Sequence, residues 1–256
     1  MKIKKFLNSN LGKVVTVVLG CLFVILLWSI ISLSLNSSLF PGPIPSFSKL
    51  FSFFQTDTFY FALGGTMFRL IVSLGISFVI SLLLGILGGI SNIFHRFISP
   101  LIIAIRTLPV AAVLFILVVI LKPQYALYII NCMIMIPIMY EAFRHGINSI
   151  SPNIFDSVRL DSNLKSKNSI FKIMVPLSSG SIVLGIVQSL GLGMKVSLMS
   201  EVIIGSDKIY GLGRLIYKAY VLVDMESIFA ISLISIIIIG IFDILVRIIK
   251  NKIHQE

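Results

Sequence analysis

Charge is scarce in this chain: 12% of its 256 residues are Asp, Glu, Lys or Arg, against roughly 25% in a typical soluble domain. With 57% hydrophobic residues, that shortage excludes the one or two soluble domains that the length alone would allow. Acidic residues are scarcer still, 10 against 21 basic ones, and the apolar blocks hold no carboxylate pair suited to a proton relay. Cysteine is limited to Cys21 and Cys132, both inside apolar blocks. Neither a disulfide framework nor a metal spacing can be built from them, and they read as buried hydrophobes. The three histidines, His95, His145 and His254, are scattered near block edges and read as structural. No Gly-x-x-x-x-Gly-Lys-Ser/Thr phosphate loop occurs, no Ser/His/Asp set has a plausible placement, and no cofactor motif is present. Enzyme chemistry therefore has no visible constellation.

What the sequence does have is long apolar blocks. Several approach the roughly 20 residues needed to cross a hydrocarbon core of about 30 Å as a helix. The chain reads as an all-α polytopic membrane protein with six transmembrane helices, expected at about 14–35, 66–91, 100–121, 125–143, 177–204 and 228–249. The first block follows a lysine-rich start (Lys2, Lys4, Lys5, Lys13). At 22 residues it is too long for a cleaved signal core. After it, Pro41-Gly42-Pro43-Ile44-Pro45 is expected to force an extended connection.

The net charge of +11 suggests nucleic acid, but the basic residues flank the apolar blocks instead of forming one solvated face, which excludes that partner and implies membrane lipid. Six spans put both termini on one side. On that side fall 13 of the 21 basic residues, with five on the other side and Arg69, Arg106 and Lys195 within spans. The positive-inside rule then places both termini, residues 1–13 and 250–256, and the interval 146–176 in the cytoplasm.

Two rows of small or polar residues recur at four-residue steps. One holds Ser73, Ser77, Ser81, Gly85 and Gly89, the other Gly185, Ser189, Gly193, Ser197 and Glu201. Such rows let helices approach closely, a main source of packing in lipid. Pro109 and Pro137 are expected to kink their helices and free carbonyls for partners. Ionisable residues inside a span cost about 2.5–3.5 kcal/mol on insertion scales and face a bundle interior or a wet cavity. Of these, Arg69 and Asp243 lie near span ends, where they can snorkel or pair at the interface. Lys195 and Glu201 lie deeper and point in different directions, so they cannot simply pair on one helix. Lys195 shares a face with Gln188, and both are candidates for lining a pathway; Glu201 reads as a tie between helices. Residues 205–227, with a Gly-Leu-Gly turn (Gly211 to Gly213), read as a short amphipathic or re-entrant segment on the outer side.

The longest polar interval, 146–176, carries Arg159, Lys165, Lys167 and Lys172, with Ile154, Phe155, Val158 and Leu164 at helical steps. It reads as a short amphipathic helix for a partner to dock on. Its stretch SPNIFDSVRLDSNLKSKNSIFKIMVP resembles the cytoplasmic loop of permease subunits of bacterial binding-protein-dependent ABC importers. Asp156 stands where that family has Glu, Ser157 and Val158 replace its alanines, and Ser162 or Asn163 occupies the place of its glycine. Val175-Pro176 replaces its Leu-Pro, one residue further on than usual. LFPGPIPSFSKL, MFRLIVSLGISFVISLLLGILGGIS, ISPLIIAIRTLPVAAVLFILVVIL, GLGMKVSLMSEVIIG and GLGRLIYKA are similar, in order and spacing, to the nitrate, sulfonate and taurine branch, which includes thiamine-precursor pyrimidine transporters.

The resemblance implies a type I ABC importer permease fold with a cytoplasmic coupling helix, in a bacterial plasma membrane and without catalysis of its own. The implied partners are cytoplasmic ABC ATPase subunits, an extracytoplasmic substrate-binding (lipo)protein and a second permease subunit. The docking residues it implies are Asp156, Arg159, Leu160, Asp161, Ser162, Asn163 and Leu164. The expected solute is small and polar, either an anion such as a sulfonate or nitrate or a pyrimidine. An ion-driven secondary transporter would need more intramembrane acid than Glu201; a non-transporting scaffold would use the loop without a pathway.

Overall fold

A computed structural model describes residues 10–35, 37–151 and 169–253. Docking candidates 156–164 lie outside the described residues. The fold is all-α. Helices are α1 (Asn10–Leu35), α2 (Pro43–Phe53), α3 (Asp57–Ile90), α4 (Asn92–Thr107), α5 (Val110–Ile120), α6 (Pro123–Asn148), α7 (Val175–Leu177, after a π-turn at Ile170–Met174), α8 (Ser179–Ile204), α9 (Leu212–Val221) and α10 (Met225–Ile253). Five are long and apolar enough to span a membrane, and the bent pair α4–α5 brings the number to six where it is taken as one broken span rather than a re-entrant loop.

The prolines after α1 do less damage than expected. Instead of an extended connection through Pro41 to Pro45, α2 starts at Pro43. Pro43 and Pro45 lie in the first turn, where the missing N–H has no helical partner to lose. The segment expected as the third span departs further from a kinked single helix. It begins at Asn92, where the Ser91 hydroxyl accepts the Phe94 N–H at 3.3 Å. It then breaks at Leu108-Pro109 with a bend of 92°. Pro109 disfavours the helical conformation at the residue before it, and Leu108 is extended, with ψ 135°. Arg106 lies exposed in the last turn before the break.

Helix α6 is the centre of the bundle, with α3 on one side and α8 on the other. The two small-residue rows make this possible. Ser77 is buried, Ser81 Oγ donates to the Ile136 carbonyl at 2.9 Å, Gly85 sits against Phe143 and the Tyr140 carbonyl, and Gly89 against Ile147. From α8, Gly185 meets Ala142, Gly193 meets Met135 and Leu70, and Ser189 is buried between them in the row. Asn131 Nδ2 donates to Ser197 Oγ at 2.8 Å across the α6–α8 contact. Around these rows the apolar core gathers Leu70, Met135, Leu190, Met194, Leu212 and Ile231.

Helix α1 behaves differently. Its apolar span is unburied, and it is held at its C-terminal end. There Trp28 stacks on Phe229 at 5.7 Å and donates to the Pro41 carbonyl at 3.0 Å, while Ser32 Oγ donates to the Phe40 carbonyl at 3.0 Å.

Candidate functional site

At the end of the bundle where α3 begins and α8 ends, three segments (α3, α8 and the turn that opens α9) meet on one carboxylate. Glu201, three residues from the end of α8, is buried. Arg69 Nη2 on α3 donates to Glu201 Oε1 at 2.6 Å and to the Tyr210 carbonyl at 2.6 Å. Thr66 Oγ1 lies 3.0 and 2.9 Å from the two carboxylate oxygens. It also accepts the Leu212 N–H at 2.9 Å. The Gly213 N–H donates to Glu201 Oε2 at 2.8 Å.

The Gly-Leu-Gly turn is what lets this close. A Cβ on Gly211 would run into the Glu201 carboxylate and Arg69 Nη2. One on Gly213 would meet Glu201 Cβ and the Leu198 carbonyl. The two glycines thus let the turn close on a carboxylate that has left water and bring the Gly213 N–H onto it, where an unpaired charge would be very costly. Among the described residues no reacting group is poised beside this arrangement. It pins the turn and α9 across the ends of α3 and α8.

Sequence reading placed Glu201 as a tie and left Arg69 at the interface; the pairing of the two was missed. The signal was available. Arg69 lies near the start of one span and Glu201 near the end of another running the opposite way, so opposite charges sit at similar depth. Arg69 is not snorkelling: its side chain is 12% exposed.

Gln188 and Lys195 are not brought to this tie. They lie on the opposite, exposed side of α8, in a strip with Leu184, Leu192 and Met199. Lys195 makes no ion pair among the described residues. The same helix therefore carries one charge satisfied inside the bundle and one that is exposed and has no ion-pair partner among the described residues. Among the described residues no three His, Cys, Asp or Glu side chains group as a metal site would require.

No individual characterised protein matches the chain at a significant level. Residues 78–255, covering most of the packed helices and both Glu201 and the Gly-Leu-Gly turn, match the family model of the binding-protein-dependent transport system inner membrane component; the chain belongs to that family of ABC importer permeases.

Proposed function

We propose that this chain forms the translocation pathway for a small polar, anionic solute of the sulfonate or nitrate kind, with Gln188 and Lys195 lining it. The observation that carries this reading is the exposed strip of α8. An ammonium and a carboxamide within a membrane helix, turned away from their own core, are costly against lipid, so they face water, solute or a second permease subunit. A pathway between two subunits satisfies all three. The unpaired positive charge favours an anion over a neutral pyrimidine, which stays the second reading because the same permease branch carries such solutes.

The energy source in this reading is docked. Cytoplasmic ATPase subunits grip the interval 146–176 at Asp156, Arg159 and residues 160–164. Their closure rocks the helices behind it, and an extracytoplasmic binding protein delivers solute. Both termini then lie in the cytoplasm of a bacterial plasma membrane. This assignment rests on the loop's resemblance and on the distribution of basic residues.

The test is co-expression with a cognate ATPase and binding protein, followed by ATP-dependent uptake into vesicles. Replacing residues 161–164 should abolish ATPase association while the protein still inserts in the membrane. Intact assembly and uptake in that variant would sink the docking assignment.

A further inference from the structure

A second site lies outside the tie, on the far face of the same turn. Between the first turns of α3 and helix α9 is a cavity of about 190 Å³, lined among others by Thr58, Phe61, Tyr210, Arg214, Leu215 and Lys218. Its two cations are four residues apart on α9, hence on one helical face. Arg214 is fixed in place. Its Nη2 donates to Asp207 Oδ1 at 2.6 Å and its guanidinium lies 5.5 Å from the centre of the Tyr210 ring. Its Nε is buried and bonds to nothing among the described residues. Lys218 is exposed and makes no ion pair among the described residues. The floor is rigid too, since the Tyr210 carbonyl is held by Arg69 and presses so closely on α3 that Gly65 has no room for a Cβ.

We propose that this cavity binds the phosphate of a membrane phospholipid, with the acyl chains running down the outer face of α3. Depth comes first. Helix α3 has 34 residues, about 51 Å at 1.5 Å per residue, well beyond a hydrocarbon core of about 30 Å. Its two charged residues, Asp57 and Arg69, both lie within the first four turns, so the turns holding Thr58 and Phe61 rise through the headgroup layer. The lining chemistry agrees. Phe61 is 70% exposed and Tyr210 64%, and aromatic rings with basic side chains are what an interfacial layer favours.

Below the cavity, Phe61, Phe68, Ile71 and Val79 form a continuous exposed strip on α3. Gly64 and Gly75 lie in that strip with nothing within 4 Å of a Cβ position. Other glycines of α3 (Gly65, Gly85, Gly88, Gly89) are pressed against protein. These two instead leave a shallow groove that none of the described residues fills. A phosphodiester places one negative charge between Arg214 and Lys218, and its chains fill the groove.

The experiment compares phosphatidylglycerol with diacylglycerol of the same acyl chains, added to the detergent-purified full complex and counted by native mass spectrometry. Phosphatidylglycerol should be retained at least about ten-fold better, and R214Q/K218Q should erase that preference, as expected for two charges near the lipid surface. K122Q, a basic residue elsewhere, should keep it. Equal retention of the two lipids by the unaltered protein overturns the proposal even if the double variant fails to fold. So does displacement of the lipid by millimolar inorganic phosphate, which would make this a free-phosphate site. A double variant that keeps its lipid but loses the extracytoplasmic binding protein would assign the cavity to an acidic side chain of that partner.

Discussion

Arg69 and Glu201, 132 residues apart in sequence, share a hydrogen bond of 2.6 Å inside the bundle. Neither charge has water to fall back on, so removing one partner strands the other. Arg69→Leu should therefore cost on the order of 3–5 kcal/mol, the usual cost of an uncompensated buried charge. Arg69→Leu/Glu201→Leu should recover a good part of that loss, because replacing both charges by apolar groups removes the desolvation penalty as well. Thermal unfolding of the purified single and double variants checks this as a coupling measurement. Simple addition of the two single effects would show that the pair is not energetically linked.

Glycines along the bundle should differ sharply in tolerance. Gly213→Ala would drive a methyl into the Glu201 Cβ and the Leu198 carbonyl, and Gly85→Ala into the Phe143 Cβ and the Tyr140 carbonyl. None of these is the far end of a flexible side chain, so a loss of about 1–3 kcal/mol is expected for each. Gly193→Ala meets mainly the Met135 methyl, which can swing aside, and should cost less. Gly64→Ala meets open space and should be neutral or slightly stabilising, since alanine is the better helix former. Melting temperatures ranked in any other order would contradict the packing described for α3 and α8.

Much of this was legible in the sequence, for identifiable reasons. Block length and hydropathy gave the spans, since crossing lipid leaves little freedom in helix length. The four-residue recurrence of Ser77, Ser81, Gly85 and Gly89 marked the face of α3 that meets α6, because helical periodicity is a local property. What stayed hidden was mostly pairwise and long-range. That Glu201 would find Arg69, and that the Gly211 to Gly213 turn would donate to the same carboxylate, depends on which helix ends come together. The break at Leu108-Pro109 was underestimated for a different reason: a proline marks where a helix is weak, while neighbours decide whether it kinks or breaks. Proline's reputation as a helix breaker also misleads at Pro43, where a proline run opens a helix instead of preventing one.

Acid should release a tie at the other end of α9. Lys49 Nζ lies 3.0 Å from Asp224 Oδ2, and Asp224 also accepts the Ser227 hydroxyl at 2.7 Å and its N–H at 3.1 Å, at the start of α10. Burial pulls the Asp224 carboxyl upward, but the Ser227 hydrogen bonds and the Lys49 ammonium outweigh it and hold the group below the usual carboxylate range. A carboxyl depressed by folding contributes stability above its unfolded value, about 3.9, and loses it as pH falls through the lower folded value. The contribution should stay within about 1 kcal/mol, because both side chains are about one-third exposed. Comparing thermal inactivation of Asp224→Asn with the unaltered protein checks it. The variant should be the less stable at pH 6, and the gap should narrow as pH falls below the unfolded value of about 3.9 and close below the lower folded one. A gap that persists at low pH would assign the effect to packing.

Lys195 offers the most direct test of the proposed pathway. Its neighbours in sequence, Met194 and Val196, are buried, so α8 itself is firmly seated and the lysine is displayed by a rigid helix. Lys195→Met keeps the length and apolar stem of the side chain and removes only the ammonium. Its fold and its assembly with the ATPase should be unchanged, since the residue touches no charged partner among the described residues. Uptake of an anionic solute should fall by roughly ten-fold or more, as expected when a desolvated ion loses a partner charge worth about 1.5–3 kcal/mol in hydrogen bonding. Lys195→Arg should retain most of the activity, because the charge survives although its shape differs. A neutral solute would respond differently: Lys195→Met would then leave uptake nearly intact, and the anion assignment would fall while the permease assignment stood. Loss of ATPase assembly together with uptake would instead place Lys195 in the contact between permease subunits, not in the pathway.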